Sequence, residues 1–184
     1  RSSIVMPGPC PPQDVNAFLA AKGPIVDVRS PGEFEQGHVP GAANLPLFSN
    51  DERAQVGTVY KQQGRQLAVQ LGLELVGLKL PSLAQALLEL AEADKPLRLH
   101  CWRGGMRSGS MAWLASTLEL PVLLLEGGYK AYRRWVLDCF ESAWPLLVLG
   151  GRTGTGKTDL LHALRQRGQA VVDLEGLANH RGSS

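Results

Sequence analysis

The sequence has few of the features that mark secreted, membrane-spanning or nucleic-acid-binding chains. It contains three cysteines in 184 residues, an odd number without framework spacing, so we expect a reducing compartment, the cytoplasm, rather than a disulfide-stapled fold. No apolar run is long enough to span a bilayer and no signal peptide is recognisable, so no membrane partner is expected. The net charge is only +2, so any surface for nucleic acid must be local.

What is present is ordinary for a globular protein, with 44% hydrophobic and 20% charged residues. Apolar segments at residues 25–28, 97–100 and 122–125 are typical of buried strands, and helix-like segments lie between them. This alternation predicts an α/β domain, a parallel sheet covered by helices, over residues 1–144. One of the helices is expected at residues 83–93, with Ser82 as its N-cap.

The pattern restarts after Trp144-Pro145, where we place a domain boundary. Apolar residues 146–149 predict a strand, a glycine-rich stretch and a helix follow, and residues 170–173 predict another strand. The glycine-rich stretch, residues 151–158, reads G-x-x-x-x-G-K-T. Residues 145–184 are therefore interpreted as the truncated start of a second α/β domain, which resembles that of phosphate-loop nucleoside triphosphatases.

The stretch with the strongest chemical signal lies between the predicted strand 97–100 and the helix after it. It reads His100-Cys101-Trp102-Arg103-Gly104-Gly105-Met106-Arg107-Ser108. Five residues between the cysteine and the arginine can curl their N–H groups around a phosphate-sized oxyanion, and the guanidinium can close the ring. We call residues 101–107 the cysteine loop.

A thiolate in such a loop gains from amide dipoles, a helix N-terminus and the arginine, so its pKa is expected to fall. Cys101 and Arg107 are accordingly predicted as catalytic residues for sulfur, selenium or phosphorus chemistry. The intervening residues are predicted to bind substrate: Trp102, Arg103, Gly104, Gly105 and Met106. Trp102 could equally cap the core, and Arg103 could simply face solvent.

A second loop, residues 151–158, matches the pattern G-x-x-x-x-G-K-T in full. Its backbone N–H groups would cradle a phosphate or diphosphate, with Lys157 neutralising it and Thr158 available to a metal. The predicted phosphate-binding residues of this phosphate loop are Gly151, Gly154, Gly156, Lys157 and Thr158. No set of metal ligands is identifiable, and Asp173 is only a weak candidate.

Two further motifs carry a resemblance to a known family. Asp27-Val28-Arg29-Ser30-Pro31-Gly32-Glu33-Phe34, followed by Gly37-His38-Val39-Pro40-Gly41-Ala42, resembles the first signature of rhodanese domains. Glu126-Gly127-Gly128-Tyr129 resembles the second signature. The resemblance covers most of residues 14–140 and implies that the cysteine accepts sulfur or selenium as a persulfide-type intermediate. Asp27 with Arg29, Glu33 and His38 are expected to support the fold rather than catalyse.

The same Cys-x5-Arg spacing after a histidine is also the signature of cysteine phosphatases, including those with a rhodanese fold. Many plain sulfurtransferases of this fold have a loop one residue shorter. A cysteine phosphatase and a thiosulfate sulfurtransferase therefore stay open as alternatives. A phosphatase would need a carboxylic acid to protonate its leaving group, and no convincing acid is evident in the sequence.

A rhodanese domain followed directly by a phosphate loop is similar to the bacterial tRNA 2-selenouridine synthase family. Longer matches at residues 50–62, 71–76, 101–108, 127–133 and 173–183 support this resemblance, which ends where the family's second domain would continue. We therefore expect an N-terminal fragment.

The family resemblance implies a selenium transferase acting on tRNA. Selenium from selenophosphate replaces the sulfur of wobble 2-thiouridine after that sulfur has been alkylated from geranyl diphosphate. Cys101 would hold selenium as an S-selanyl intermediate, and Arg107 would bind the phosphate of selenophosphate. The partners implied are tRNA and, as a candidate, a selenophosphate-producing enzyme.

We interpret the phosphate loop as the site of geranyl diphosphate, with a nucleotide or Mg²⁺ as the alternative, and expect no tightly bound cofactor. The segment Tyr129-Lys130-Ala131-Tyr132-Arg133-Arg134-Trp135 interleaves basic and aromatic residues. It is typical of either a tRNA-facing surface or an amphipathic helix with a solvated basic side.

Overall fold

The computed structural model describes residues 12–152 and 154–178, and of Glu175 only the backbone. The chain divides into two compact units, Arg1–Ser142 and Ala143–Ser184. Thr153 of the phosphate loop and the end of the run at residues 173–183 lie outside the described residues.

The first unit is built on a parallel sheet of five described strands in the order β1-β5-β4-β2-β3. Every neighbouring pair runs parallel, which confirms the predicted α/β class. The strands are β1 (Pro12–Gln13), β2 (Ile25–Asp27), β3 (Ala43–Asn44), β4 (Leu97–His100) and β5 (Val122–Leu125). The two-residue strands β1 and β3 were not predicted, since so short a segment carries no periodicity.

Within residues 12–142, seven helices connect and cover these strands: α1 (Val15–Ala20), α2 (Pro31–Glu35), α3 (Asn50–Gln63), α4 (Arg65–Gly77), α5 (Leu80–Leu90), α6 (Met106–Thr117) and α7 (Gly128–Glu141). Local sequence explains where two of them begin. Ser30 and Glu33 form a reciprocal capping box at the start of α2, and Ser49 and Glu52 form another at α3.

The hydrophobic core lies on both faces of the sheet, because successive strand residues point in opposite directions. Ile25 packs with Phe18 and Leu125 in one cluster. Its neighbour Val26 packs with Leu99 in the larger cluster on the other side. Helices α5 and α6 contribute to this larger cluster, which places the end of β4 inside the molecule rather than at its edge.

The loop after β2 is held by a buried ion pair between Asp27 and Arg29. Arg29 Nη2 lies 2.6 Å from Asp27 Oδ2, and the side chains of Asp27 and Arg29 are 0% and 1% exposed. Arg29 Nη2 also donates to the carbonyl of Gly37, and Asn44 donates to the carbonyls of Asp27 and Arg29. These contacts agree with the structural role expected for the pair.

The start of α5 differs from the prediction. The helix runs from Leu80 to Leu90 with Lys79 at the N-cap, whereas Ser82 lies inside the first turn and its hydroxyl donates to the Lys79 carbonyl at 2.8 Å. Pro81 explains the earlier start, because its fixed φ suits the first helical turn and its missing N–H costs nothing there.

The second unit contains α8 (Lys157–Gln166) and α9 (Leu174–Leu177). The predictions of strands at residues 146–149 and 170–173 are wrong for this structure, which pairs neither segment. An apolar segment becomes a strand only when a neighbouring strand takes up its backbone hydrogen bonds, and no strand occurs in the described part of this unit. Leu147 and Val148 are consequently 98% and 86% exposed.

Among the described residues no single helix has the length and apolar character to cross a membrane. Helices α4 and α5, bent by 69° relative to each other, meet that test only as a pair and only by length and composition.

The buried ion pair generates a stability prediction. We expect Asp27→Ala to lower the free energy of unfolding by about 3–5 kcal/mol, because it leaves the Arg29 charge buried without a partner. Asp138→Ala is the matched control, since it breaks the exposed Arg134–Asp138 pair and should cost less than about 1 kcal/mol. Urea unfolding measures both variants, and equal losses would contradict the prediction.

Candidate active site

The cysteine loop lies at the carboxyl end of the central strand β4, where parallel sheets carry their functional groups. Its backbone is held by the first turn of α7. The N–H of Tyr129 donates to the carbonyl of Cys101 at 2.8 Å, and the N–H of Lys130 donates to that of Trp102 at 3.0 Å. The free amides of one helix end thereby satisfy the carbonyls of the loop.

The sulfur of Cys101 is enclosed by donors from its own loop and from α6. The Gly105 N–H donates to Sγ at 3.4 Å, and the Ser108 hydroxyl oxygen lies 3.2 Å from Sγ. That hydroxyl also lies 3.2 Å from the Gly105 carbonyl, so its hydrogen can turn toward the sulfur when a thiolate forms. Cys101 is only 3% exposed.

Burial raises the pKa of Cys101, but hydrogen bonds to the thiolate outweigh it. The donors are the Ser108 hydroxyl and the backbone N–H groups of Ser108, Gly105 and Arg103, and the net pKa lies below its ordinary value. Arg107 is not among these groups. The largest contributions to the low pKa expected from the sequence therefore come from loop amides, as predicted, and from a serine.

The Arg107 guanidinium is held by Glu33. Nη1 lies 2.6 Å from Glu33 Oε2 and Nη2 lies 3.2 Å from Oε1, a bidentate pair. Burial raises the pKa of Glu33, but the hydrogen bonds and charge of Arg107 outweigh it, so the pKa is lowered. An anion that binds Arg107 must therefore compete with this carboxylate.

Gly128 of the second signature can pack against the cysteine loop because it has no side chain. Gly128 has φ +62°, and a β-carbon there would collide with the Cys101 carbonyl oxygen and lie 2.5 Å from the Gly104 nitrogen. Gly104 has φ +65°, and its β-carbon would lie 2.8 Å from the Leu125 carbonyl oxygen. Two turns that each need a glycine therefore pack directly against each other. This explains why the cysteine loop and the second signature both contain glycine.

The other predicted substrate-binding residues lie on the outer side of the loop. Trp102 is half-buried with its ring centroid 5.9 Å from that of Tyr129. Arg103, Gly104 and Gly105 are exposed. Met106 is 53% exposed, and its sulfur lies 3.8 Å from a guanidinium nitrogen of Arg65. The roles of these residues in substrate binding stay predictions.

A pocket of about 430 Å³ opens beside the loop, at Trp102. It collects residues that are far apart in the sequence: Arg29, Glu33, Gln36, Gly37, Arg53, Trp102, Tyr129 and Arg133. Of these, only Trp102 is a predicted substrate-binding residue. The sequence does not predict that Arg53 or Gln36 belongs to a site, since each is a single polar residue. Arg53 lies in α3 and Gln36 lies at the end of α2. Arg133 belongs to the basic and aromatic segment, which is a weaker signal.

The buried His100 precedes the nucleophile. Its two ring nitrogens have no hydrogen-bond partner among the residues that the structure describes, and Nδ1 lies 3.8 Å from Asp27 Oδ1. Burial lowers the pKa of His100, with Asp27 opposing and Arg29 reinforcing that shift. A neutral, enclosed imidazole agrees with the expectation that His100 shapes the end of β4.

In the second unit, Gly154 and Gly156 adopt φ of +83° and +76°, and α8 starts directly after them. Lys157 Nζ donates to the carbonyls of Gly151 and Arg152 at 2.9 and 2.8 Å. The Lys157 ammonium group thus bonds the opposite end of the phosphate loop, and it is predicted to neutralise a phosphate bound there. Thr158 lies in the first helical turn, and phosphate binding by the loop stays a prediction.

Comparison with known proteins agrees with this geometry. The family model for the rhodanese-like domain matches residues 11–134. The chain belongs to the rhodanese-like family. The model described as the tRNA 2-selenouridine synthase AAA domain matches residues 144–184, in the second unit.

Relatives match across both parts of this rhodanese-like chain. The tRNA 2-selenouridine synthases of Pseudomonas syringae pv. syringae and Bdellovibrio bacteriovorus are 45% and 47% identical to it over 93% and 94% of its length. These matches confirm the resemblance seen in the sequence. The chain spans about half the length of these relatives, 47% and 46%.

One solved structure is also similar. It is the N-terminal domain of a Clostridium difficile 630 protein described as ATP/GTP binding. The identity is 44% and the TM-score 0.65, over 69% of this chain and 99% of that one.

Gly128→Ala tests the contact between the two signatures. We expect a loss of unfolding free energy of at least about 1–2 kcal/mol from the left-handed backbone alone, together with slower alkylation of Cys101 as its loop is displaced. Gly109→Ala in α6 is the control, because nothing lies within 4 Å of the place its β-carbon would take and alanine favours a helix. Thermal unfolding and iodoacetamide kinetics measure both, and a Gly128→Ala variant with native values would refute the contact.

Ser108→Ala tests the source of the lowered pKa. The wild-type rate of Cys101 alkylation should rise with pH to an inflection below the pKa of an ordinary cysteine. Removing the hydroxyl removes a donor to the thiolate, so the inflection should move to higher pH. Ser110→Ala should leave it unchanged, because the Ser110 hydroxyl donates to the Met106 carbonyl rather than to the sulfur. The assay uses chains with Cys10 and Cys139 replaced by serine, and an unmoved inflection in Ser108→Ala would exclude this role.

Proposed function

We propose that the chain is the N-terminal part of an enzyme that replaces the sulfur of wobble 2-thiouridine in tRNA with selenium. One observation carries the proposal. A cysteine whose pKa is lowered by loop amides and Ser108 stands in the same chain as a segment matching the tRNA 2-selenouridine synthase AAA domain. The similarity of the relatives over both units supports the same activity.

Cys101 is proposed to carry selenium from selenophosphate as an S-selanyl group. Because that selenium is at the selenide level, the thiol and the selenide together give up two electrons to a disulfide oxidant as the sulfur–selenium bond forms, and the selenium–phosphorus bond is hydrolysed to release phosphate. The small exposure of Cys101 favours a compact donor of the size of a monophosphate over a bulky one. Arg107 and the loop amides are proposed to bind the donor's phosphate, and this requires the guanidinium to exchange its bond with Glu33 for one with the anion.

The phosphate loop is proposed to bind the diphosphate of geranyl diphosphate through Lys157, Thr158 and backbone amides near the start of α8. The sulfur of 2-thiouridine would form a bond to the first carbon of the geranyl chain while the bond from that carbon to diphosphate breaks. The electron pair leaves with the diphosphate, whose charge Lys157 neutralises. The alkylated sulfur is then a leaving group that selenium can displace.

Among the described residues that line the pocket, none is a carboxylic acid suited to the phosphatase alternative. Leaving-group protonation needs a carboxyl group that is still protonated near neutral pH. Glu33 is the carboxylate that lies in the pocket beside the cysteine loop, and its pKa is lowered by Arg107. The ion pair therefore favours sulfur and selenium transfer over phosphate ester hydrolysis.

The direct test incubates the full-length protein with 2-thiouridine tRNA, geranyl diphosphate and selenophosphate, followed by mass analysis of the nucleosides. We expect S-geranyl and selenium products from the wild type. Cys101→Ala should abolish the selenium product while geranylation continues, because the diphosphate site is separate from the cysteine. Lys157→Ala should reduce geranylation at least about tenfold by removing a charge-assisted contact.

Absence of both products would reject the proposal. Turnover of an aryl phosphate that depends on Cys101 would support the phosphatase alternative. Turnover of thiosulfate without any change in the tRNA would support a plain sulfurtransferase.

A further inference from the structure

The pocket beside the cysteine loop has a charge distribution that the proposed chemistry does not explain. Two of its charged residues are already neutralised. Asp27 pairs with Arg29 beneath the pocket, and Arg107 pairs with Glu33 at its side. Two further arginines line it, so the pocket carries an excess of positive charge.

These two arginines are Arg53 of α3 and Arg133 of α7. Arg53 Nε lies 3.7 Å from Glu33 Oε2, and its side chain is 43% exposed. Arg133 is exposed and forms no ion pair with the residues that the structure describes. The two guanidinium groups reach the same pocket from different helices, which suits two anionic groups of one ligand.

The same pocket is also lined by two aromatic rings, those of Trp102 and Tyr129. The Arg29 guanidinium carbon lies 3.9 Å from the centroid of the Tyr129 ring and 5.8 Å from that of Trp102. This contact holds Tyr129, which lies against Trp102. Trp102 stays half-exposed, so it offers a planar ring next to the two cations.

We infer that this pocket binds one nucleotide of an RNA. The base stacks on Trp102, and Arg53 and Arg133 hold the phosphates on its two sides. The volume of about 430 Å³ is in the range of sites that enclose a ligand of this size. Stacking with backbone phosphate contacts is how proteins hold unpaired nucleotides. The inference rests on the proposed function, because it assigns a place on this chain to the tRNA.

The test measures binding of an anticodon stem–loop RNA containing 2-thiouridine to the full-length protein over a series of salt concentrations. Each phosphate contact that is lost reduces the slope of log K against log salt by about 0.7 for a single strand. Arg53→Gln and Arg133→Gln should each reduce the slope by that amount. Arg134→Gln is the control, because Arg134 is 80% exposed and paired with Asp138 on the same helix, and it should leave the slope unchanged.

Stacking is tested at Trp102. Trp102→Ala should weaken RNA binding about tenfold or more, whereas Trp102→Phe, which keeps a ring, should restore most of the affinity. The same variants are titrated with inorganic phosphate. Phosphate binding that depends on Arg53 and Arg133, with RNA binding unaffected, would make the pocket an anion site for the selenium donor and overturn the inference.

The outcomes separate this inference from the proposed function. Native RNA affinity and slope in the Arg53, Arg133 and Trp102 variants would overturn the nucleotide pocket and leave the selenium-transfer assay of Cys101→Ala untouched. A wild-type protein that binds no stem–loop RNA would overturn the pocket too. Failure of the wild type to form either modified nucleoside is the separate result that rejects the activity.

Discussion

The candidate site depends on the contact between two backbones that have no side chains between them. Gly128 at the start of α7 lies against the cysteine loop, where a β-carbon would strike the Cys101 carbonyl and the Gly104 amide. This closeness lets the Tyr129 and Lys130 amides bond the loop carbonyls. With its carbonyls bound from outside, the loop keeps the N–H of Gly105 directed at the sulfur.

Charge in the first unit is arranged as pairs that each hold a different part of the site. Asp27 and Arg29 are buried and fix the loop after β2, and Arg29 in turn holds the Tyr129 ring. Glu33 of α2 pairs with Arg107, the last residue of the cysteine loop, and so joins α2 to α6. The two members of each pair neutralise one another. The excess positive charge of the neighbouring pocket therefore comes from Arg53 on α3 and Arg133 on α7.

Prediction from sequence worked where local patterns carry the information. Short apolar strands followed by glycines predicted β2, β4 and β5, and the Cys-x5-Arg spacing predicted a loop with amides on the sulfur. It failed where structure depends on a distant partner. Residues 146–149 have the composition of a strand but no described strand beside them. Likewise, nothing in the spacing around Arg107 predicted its bond with Glu33, which the fold brings near.

The amino-acid order alone determined the α/β class, the place of Cys101 at the end of a buried strand and the two glycine-dependent loops, because each follows from composition and spacing over a few neighbouring residues. Tertiary structure decided which groups meet. It assigned the lowered pKa of Cys101 to Ser108 and loop amides, placed Glu33 on Arg107, and gathered Arg53, Trp102 and Arg133 around one pocket. These contacts join residues from distant parts of the chain. No local sequence pattern predicts them, because only the packing of the helices onto the sheet brings the residues together.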